Sequence, residues 1–352
     1  MSLGPLMIDL MGTALDAAER ELLSHPLVGG VILFTRNYAE PTQLSELVGA
    51  IHSARTPPLI VGVDHEGGRV QRFRSGFSLL PPARRLGRAF DVDAREGLAF
   101  ARTMGWLMAA ELRAHGVDIS FAPCVDLDYG VSEVIGERAL HRASESVGQL
   151  AVAYMHGMRD AGMAATAKHF PGHGAVVADS HLTLPVDRRT LEDMGPDLTP
   201  YRLLIANGLA AVMMAHVLYP TVDAAPASLS GRWIRDVLRG ELGFQGVVFS
   251  DDLSMGGAAA AFGDVVTRAR QALSAGCDML PVCNSRASVL ELLDHLDLEP
   301  QPASRLRLVR LHGRPAPDRA RLLASPEWAR AREALAASDA APPLTLQPAR
   351  EP

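Results

Sequence analysis

The 352-residue sequence predicts an α/β fold, a single (β/α)8 TIM-like barrel with extra helices at its C-terminal end. Two observations support this prediction. Eight short, almost continuously apolar runs alternate with amphipathic stretches, a pattern typical of parallel strands that helices cover on both faces. Polar residues follow those runs directly, at the point where a barrel gathers the carboxyl ends of its strands. An open doubly wound sheet is the alternative arrangement.

The predicted elements follow one another without a linker that would divide the chain. Strands are predicted at residues 5–10, 28–34, 59–63, 119–125, 163–167, 210–215, 247–249 and 277–282. Helices are predicted at residues 41–54, 98–114, 146–160, 201–206, 233–242, 265–274 and 287–296. Residues 305–336 predict one or two additional helices, so residues 1–335 are expected to form one domain. Residues 336–352 are rich in alanine and proline and predict a flexible tail.

Composition and charge argue against several classes of partner. The net charge is −6 and no basic block is present, so nucleic-acid binding has no electrostatic basis. No apolar run is long enough to cross a bilayer, and no membrane partner is expected. Cys124, Cys277 and Cys283 lie within apolar runs without CxxC spacing, which predicts buried, reduced thiols and a cytoplasmic location. A monomer is expected, although the sequence carries no specific signal for it.

The segment KHFPGHG (168–174) is the most informative stretch of the chain. A lysine and a histidine stand side by side where the predicted strand 163–167 ends. The proline and the two glycines that follow exclude a helix and require an irregular loop. That loop leads to Asp179 and His181, a carboxylate close enough in sequence to orient an imidazole. A histidine whose proton is controlled by a neighbouring carboxylate is a common acid/base device.

Other predicted strands also stop at polar residues. If the fold is a barrel, these side chains converge on one rim, which is where barrel active sites lie. A single apolar run that ends at a charge means little, whereas several on one rim indicate a functional site. The residues are Asp64, Glu66, Arg69 and Arg72 after the third strand, Asp126, Asp128, Glu137 and Arg138 after the fourth, His216 after the sixth, Asp251 and Asp252 after the seventh, and Asn284 after the eighth.

Some of these residues have simpler interpretations. Arg72 and Arg138 could be structural ion-pair partners. The pair Asp251 and Asp252 could cap the next helix, but a cap needs only one carboxylate and leaves the other for chemistry. A phosphate-binding glycine loop at residues 67–68 is disfavoured because two carboxylates beside it repel an anion.

A metal site is also disfavoured. His169 and His173, together with Asp179 and His181, resemble a cluster of metal ligands. However, the Pro-Gly pair between the first two histidines prevents the helical spacing of an HExxH motif, and no Cys/His spacing typical of zinc is present. No metal is therefore expected.

The residue types on the rim suit hydrolysis of an acetal. One group attacks or stabilises the anomeric carbon while a second protonates the leaving oxygen. Aspartate, arginine, lysine and histidine around them suit the hydroxyl groups of a sugar. The residues by themselves support no narrower statement.

The motifs at these positions resemble the family 3 glycoside hydrolases, and within them the bacterial β-N-acetylhexosaminidases of the NagZ type. The resemblance runs through most of the chain, to about Asn284, and its KHFPGHG and FSDDLSM segments are highly specific. The matching segments are LVGGVILFTRNY (27–38), VDHEGGRVQRFR (63–74), DISFAPCVDLD (118–128), IGERAL (135–140), KHFPGHGAVVADSH (168–181) and GFQGVVFSDDLSM (243–255).

The resemblance implies a barrel enzyme that needs no cofactor and retains the anomeric configuration. It implies Asp251 as the nucleophile and His181 as the acid/base residue, with Asp179 as its orienting partner. Its implied substrate is a GlcNAc-β-1,4-anhydro-N-acetylmuramyl peptide, a peptidoglycan fragment met in the cytoplasm during cell-wall recycling. Residues implied to hold the terminal N-acetylglucosamine are Asp64, Arg72, Arg138, Lys168 and His169.

The sequence departs from the family pattern in places. His65 stands where glutamine is expected, and residues 129–132 and the C-terminal third are divergent, so their contribution to aglycone preference is unassigned. Three other functions stay open. A family 3 phosphorylase would use the same scaffold and pass the sugar to phosphate. A sugar-binding barrel would lack turnover, and a metal-dependent hydrolase would lose activity with a chelator.

Overall fold

The computed structural model describes residues 2–177, 184–254, 262–297 and 301–340. Eight parallel strands form one sheet around a central core, in the order β10, β1, β2, β3, β6, β7, β8, β9. Parallel pairing of Phe249 with Met279 joins β9 to the start of β10 and closes the barrel. The strands are β1 (Leu6–Asp9), β2 (Val28–Leu33), β3 (Ile60–Val63), β6 (Ile119–Ser120), β7 (Ala164–Phe170), β8 (Ala211–Met214), β9 (Val247–Phe249) and β10 (Leu280–Val282).

Helices surround the barrel and connect its strands. They are α1 (Ala17–Ser24), α2 (Pro41–Ser53), α3 (Ala83–Val92), α4 (Ala94–Arg113), α5 (Ser144–Asp160), α6 (Gly195–Ala206), α7 (Arg232–Glu241), α8 (Val265–Ala275) and α9 (Arg286–His295). The predicted fold class is confirmed. The sequence prediction missed α1 and α3, whose starts are nonetheless encoded locally: Asp16 forms a capping box with Glu19, and α3 follows two prolines.

The strands are apolar because both of their faces are covered. Every residue of β1, β2 and β3 is buried, and Phe121 and Phe249 meet edge to face inside the barrel at 5.3 Å between ring centroids. The Gly-Gly pair of β2 reflects close packing, because a Cβ atom on Gly29 would lie 1.9 Å from the carbonyl oxygen of Gly4. Tight packing of this kind fixes the strand ends that carry the polar residues.

Three local features differ from the prediction at the rim. Strand β6 ends at Ser120, although the predicted strand ran to residue 125. The chain after β3 forms a small antiparallel hairpin, β4 (His65–Gly67) and β5 (Val70–Gln71), where a loop was predicted. Strand β7 continues to Phe170 instead of ending at Ala167. Lys168 and His169 therefore lie within a paired strand, because the backbone N–H of Lys168 donates to the carbonyl of Pro123 and its carbonyl accepts from Val125. This pairing makes the position of both side chains rigid.

The extra C-terminal helices are α10 (Pro302–Leu308), α11 (Arg319–Leu323) and α12 (Pro326–Ala340). Helix α12 packs on α4 and is joined to the barrel by the indole of Trp328, which donates to Glu111 Oε1 at 2.8 Å. It continues five residues past the predicted domain boundary at residue 335. The remainder of the predicted tail, residues 341–352, lies outside the described residues. No helix within the described ranges is both long and apolar enough to cross a membrane.

Candidate active site

A polar pocket of about 400 Å³ opens at the carboxyl ends of the barrel strands. Six of the eight residues to which the resemblance gives a role line it together: Asp64, Arg72, Arg138, Lys168, His169 and Asp251. Asp64 follows β3 and Asp251 follows β9, and three strands separate β3 from β9 in either direction around the barrel. These two carboxylates therefore belong to opposite sides of the pocket.

The side of the pocket formed by β3 and β7 carries a cluster of paired charges, which we call the ion-pair cluster: Asp64, Glu66, Lys168 and Arg138. The Lys168 ammonium lies 2.8 Å from Asp64 Oδ1 and 2.6 Å from Glu66 Oε1. Arg138 binds Glu66 through two parallel hydrogen bonds of 2.9 and 2.8 Å. The Lys168 side chain is only 3% exposed, so these bonds act with little screening by water.

The charges of the ion-pair cluster hold its members in their ionised forms. Burial alone would raise the pKa of Glu66, but Arg138 and Lys168 outweigh it and hold that pKa well below its usual range. Burial likewise opposes the low pKa of Asp64, which Lys168 and Arg72 produce. Burial would lower the pKa of Lys168, yet Asp64 and Glu66 raise it. The cluster thus offers fixed donors and acceptors, the groups that sugar hydroxyls need.

Asp126, six residues after the end of β6, orients His169. Its Oδ2 is 2.7 Å from Nδ1 of His169, and its Oδ1 accepts from the backbone N–H of His173 at 2.7 Å. Burial would raise the pKa of Asp126, but the neighbouring His169 outweighs it and holds that pKa well below the usual range. Because the carboxylate occupies Nδ1, the other ring nitrogen of His169 is the one available to the pocket.

The side of the pocket after β9 carries Asp251 and Asp252. The backbone around Asp251 is fixed, because Ser250 N–H donates to Met279 and Leu253 N–H donates to Pro281. Among the described residues Asp251 forms no ion pair, and its Oδ1 accepts from the N–H of Asp252 at 2.9 Å. Asp252 turns toward the backbone instead, where Oδ1 accepts from the amide and hydroxyl of Ser254 and the amide of Cys283.

The two neighbouring aspartates therefore have different environments. Burial raises the pKa of Asp252 to about 6 despite its hydrogen bonds. The three donors bound to its Oδ1 give it a structural role at the base of the loop. Both aspartates line the pocket, and Asp251 has fewer protein partners among the described residues. The expected helix cap is not seen, because the bonds that Asp252 accepts come from Ser254 and Cys283.

Arg72 occupies the edge of the pocket. Its Nη2 lies 3.4 Å from Asp64 Oδ2, and its guanidinium stands over the ring of Phe34. The unexpected His65 points away from this edge, into a cluster with Phe73 and Phe77. Burial, together with Arg72 and Arg74, lowers the pKa of His65 to about 3, so the ring is neutral. His65 therefore packs behind the hairpin, and Asp64 lines the pocket.

The described residues bring most of the predicted site together and add two members. Asp179 and His181 lie outside the described residues. Glu66 and Asp126 were recognised as rim residues, but their part in binding Lys168, Arg138 and His169 was not foreseen. The sequence did contain a signal for Glu66. Side chains alternate between the two faces of an extended chain, so residues 64 and 66 point to the same face. No sequence pattern links Asp126 to His169, which is 43 positions away.

One group of side chains has the spacing of metal ligands. Cys124, Asp126 and His169 offer atoms that all lie within 4.8 Å of one another. Hydrogen bonds account for this cluster, because Cys124 Sγ donates to Asp126 Oδ2 and His169 bonds to the same oxygen. Burial also raises the pKa of the Cys124 thiol well above its usual range, which disfavours the thiolate that a metal requires. The absence of a metal requirement stays a prediction.

Comparison with known proteins identifies the family. Residues 6–310 match the N-terminal domain of glycosyl hydrolase family 3. A β-hexosaminidase from Thioalkalivibrio sulfidiphilus is 56% identical over 346 residues, which are 98% of this chain and 99% of that relative. A β-hexosaminidase from Thiobacillus denitrificans is 57% identical over 317 residues, covering 90% of this chain and 88% of the relative.

A solved structure agrees with these relatives. NagZ from Neisseria gonorrhoeae, in complex with N-trifluoroacetyl-D-glucosamine, superimposes with a TM-score of 0.92 at 41% identity and covers 97% of this chain and 99% of its own. The site and the barrel thus define a carbohydrate-cleaving enzyme, and the chain belongs to glycosyl hydrolase family 3. The prediction of a glycoside hydrolase of the β-hexosaminidase type is confirmed.

Proposed function

We propose that the enzyme is a retaining exo-β-N-acetylglucosaminidase that removes the terminal non-reducing GlcNAc from β-1,4-linked peptidoglycan fragments. The proposed substrates are GlcNAc-anhydroMurNAc peptides produced during cell-wall recycling in the cytoplasm. The observation that carries the proposal is the pocket, in which the ion-pair cluster forms one wall and Asp251 follows the opposite strand. The exo mode of cleavage is proposed on the similarity to NagZ.

The proposed roles follow from charge and position. Asp64 accepts hydrogen bonds from sugar hydroxyls, and Lys168, Arg138 and His169 donate to them, with Arg72 at the pocket edge. A relative at 41% identity has been solved with N-trifluoroacetyl-D-glucosamine, which supports a sugar of the N-acetylglucosamine type as the ligand here. Fixed ionised groups suit this task because they bind without reorganising.

The proposed reaction has two steps. A carboxylate oxygen of Asp251 attacks the anomeric carbon and forms an ester bond while the glycosidic bond breaks, and His181 donates a proton to the departing oxygen. Water then attacks the same carbon and passes a proton to His181, and the ester bond breaks to release the sugar with its configuration retained. Asp179 favours the imidazolium form of His181 through its negative charge, which keeps a proton available for the first step.

The test is a series of aryl N-acetyl-β-glucosaminides whose leaving groups span a wide range of pKa. General acid catalysis is worth roughly 10²- to 10⁴-fold, so His181→Ala should slow the first step greatly for poor leaving groups and little for good ones. Deglycosylation should slow for all of them, and an added small anion such as azide should rescue it. An equal loss of the first step across the series would rule out His181 as the acid.

Two further assays distinguish hydrolysis from the phosphorylase and metal-dependent alternatives. Turnover of GlcNAc-anhydroMurNAc peptide that is independent of added phosphate, with free GlcNAc as product, supports hydrolysis. Appearance of a sugar phosphate would instead identify a phosphorylase. Indifference of the rate to a chelator would remove the metal-dependent alternative, and loss of activity on chelation would revive it.

A further inference from the structure

A concave site of different character lies at the opposite end of the barrel from the candidate active site. A pocket of about 160 Å³ opens where β7 begins, at Ala164, and beside Ala210, which precedes β8. Three arginines line it, one in the last turn of α5 and two in the segment that follows α10: Arg159, Arg310 and Arg314. We call this site the arginine pocket.

The arginine pocket carries an unbalanced positive charge. Within the ranges that the structure describes, none of its three guanidinium groups forms an ion pair or a hydrogen bond, and no carboxylate lines the pocket. Asp160, the carboxylate next to Arg159 in the sequence, lies 2.7 Å from Arg102 instead. This arrangement is unexpected in a chain whose net charge is −6, because acidic partners are more numerous than basic ones.

The ends of two helices do not account for this charge. Arg159 lies in the last turn of α5, and Asn207 follows the end of α6. Each helix end carries roughly half a unit of negative charge, so the two ends offset about one of the three positive charges and leave about two. His312 also lines the pocket, but burial lowers its pKa, so its ring is neutral near pH 7. The remaining charge is that of a site for an anion.

Backbone contacts fix the segment that carries two of the arginines. The N–H of Arg314 donates to the carbonyl of Gly162 at 2.9 Å, and the carbonyl of Arg314 accepts from Arg113 at 2.9 Å. The N–H of Gly313 donates to the carboxylate of Asp118 at 2.9 Å. These contacts use none of the guanidinium groups of the arginine pocket. All three of its arginines are exposed, so a ligand can reach them from solvent.

We propose that the arginine pocket binds a phosphate group, either as the free ion or as a phosphate monoester whose remainder extends into solvent. A phosphate dianion matches the charge, and its oxygens accept the parallel pairs of hydrogen bonds that guanidinium groups donate. A carboxylate has one charge and two oxygens, which satisfy only one arginine.

The size and place of the pocket fit this ligand. Its volume is below the roughly 300 Å³ at which pockets for whole small molecules begin, which favours a single small group. The site does not depend on the proposed glycosidase function, because it lies at the start of the strands whereas Asp251 follows the end of β9.

The test is isothermal titration calorimetry of the full chain with inorganic phosphate, at low salt, where exposed charges are least screened. The wild type should bind phosphate. Arg310→Gln and Arg314→Gln should each weaken binding about five- to tenfold, as expected when one charge-assisted contact is lost in a partly exposed site. The double variant should lose measurable binding. No binding by the wild type, or unchanged binding by the double variant, would overturn the proposal.

Arg202→Gln is the matched control. Arg202 is an exposed arginine on α6 that has no ion pair among the described residues and does not line the pocket. Its replacement changes the net charge by the same amount, so it reports long-range attraction alone and should change the affinity less than about twofold. An equal loss in this variant would show that phosphate responds to overall charge, which would refute a specific site.

Two further ligands test the chemistry on the wild-type protein and need no variant. Acetate should bind at least about tenfold more weakly than phosphate, because it can satisfy only one arginine. Equal affinity for acetate would contradict a phosphate site. Methyl phosphate distinguishes the two sources of the group: tighter binding than that of inorganic phosphate identifies a monoester as the ligand, and weaker binding identifies the free ion.

Discussion

The two sides of the pocket hold their carboxylates in different ways. Asp64 and Glu66 each contact Lys168, and Glu66 also binds Arg138 through two hydrogen bonds. Across the barrel, Asp251 and Asp252 form no ion pair among the described residues, and the bonds that Asp252 accepts come from neutral groups. On the paired side, removing one partner would leave a buried charge uncompensated, and the ionised groups have fixed positions. On the other side, Asp251 has no ion pair among the described residues, which suits its proposed role as the nucleophile.

The largest expected effect comes from removing the proposed nucleophile. Asp251→Ala should reduce turnover of an aryl glycoside by several orders of magnitude, because the proposed mechanism requires this carboxylate to attack the anomeric carbon. The isosteric Asp251→Asn should be as inactive and at least as stable as the wild type, since no cation in the described part of the chain loses a partner. A fluorosugar inactivator, followed by mass spectrometry, should label Asp251.

Asp252→Asn is the matched control for that experiment. An asparagine carbonyl can accept the same bonds from Ser254 and Cys283, so this variant should keep most of its activity. Labelling of Asp252 in the wild type, or a larger loss in Asp252→Asn than in Asp251→Asn, would reverse the assignment of the two aspartates.

The second expected effect is on the paired side. Glu66→Gln also removes one negative charge, but it leaves the buried Arg138 without its carboxylate. Breaking a buried pair in this way costs about 3–5 kcal/mol of unfolding free energy, which chemical denaturation can measure. Asp160→Asn, in the exposed Arg102–Asp160 pair, should change the unfolding free energy by less than about 1 kcal/mol. A stable Glu66→Gln variant would remove the distinction between the two sides.

Asp64→Ala should produce a smaller and more specific loss. Lys168 keeps Glu66 as a partner, so the fold should tolerate the change better than it tolerates Glu66→Gln. Loss of one charge-assisted hydrogen bond to the substrate should lower kcat/KM about ten- to a hundredfold. An unchanged kcat/KM would place Asp64 outside the sugar-binding set.

The smallest expected effect is a pH dependence of stability that belongs to Asp252. Its pKa is raised from the ordinary value of 3.8 to about 6, so the folded protein binds its proton more tightly than the unfolded chain does. The protonated carboxyl of Asp252 therefore contributes fully to the free energy of unfolding below pH 4, and this contribution is lost as the pH rises from 4 to 6. Melting temperatures measured across that window should favour Asp252→Asn increasingly as the pH rises. A constant difference between the two proteins would contradict the raised pKa.

The sequence predicted the barrel because its strands are buried on both faces and so read as uninterrupted apolar runs. The same reasoning placed the end of β7 too early. Lys168 and His169 are polar and look like the end of the apolar run, although both lie in a paired strand. The hairpin β4–β5 was missed because His-Glu-Gly lacks β-type composition.

The contacts of the site were less predictable than its residues. Asp64, Lys168 and Asp251 each follow a predicted strand, and this was enough to predict that they lie on the same rim. Which carboxylate meets which cation depends on side-chain directions at the hairpin and on pairs far apart in sequence, such as Arg138 with Glu66. The arginines of the arginine pocket come from two distant segments, so their proximity is visible only in the structure.

The closure of the barrel has a consequence for the synthesis of the chain. Strand β1 lies between β2 and β10, with Leu6 opposite both Val28 and Leu280. Translation delivers that second neighbour about 270 residues after the first strand, a delay on the order of tens of seconds at ribosomal speed. Throughout that time one edge of a mostly apolar strand is open to pairing with other nascent chains. The rim cannot be complete on the ribosome until residues 280–284 have emerged.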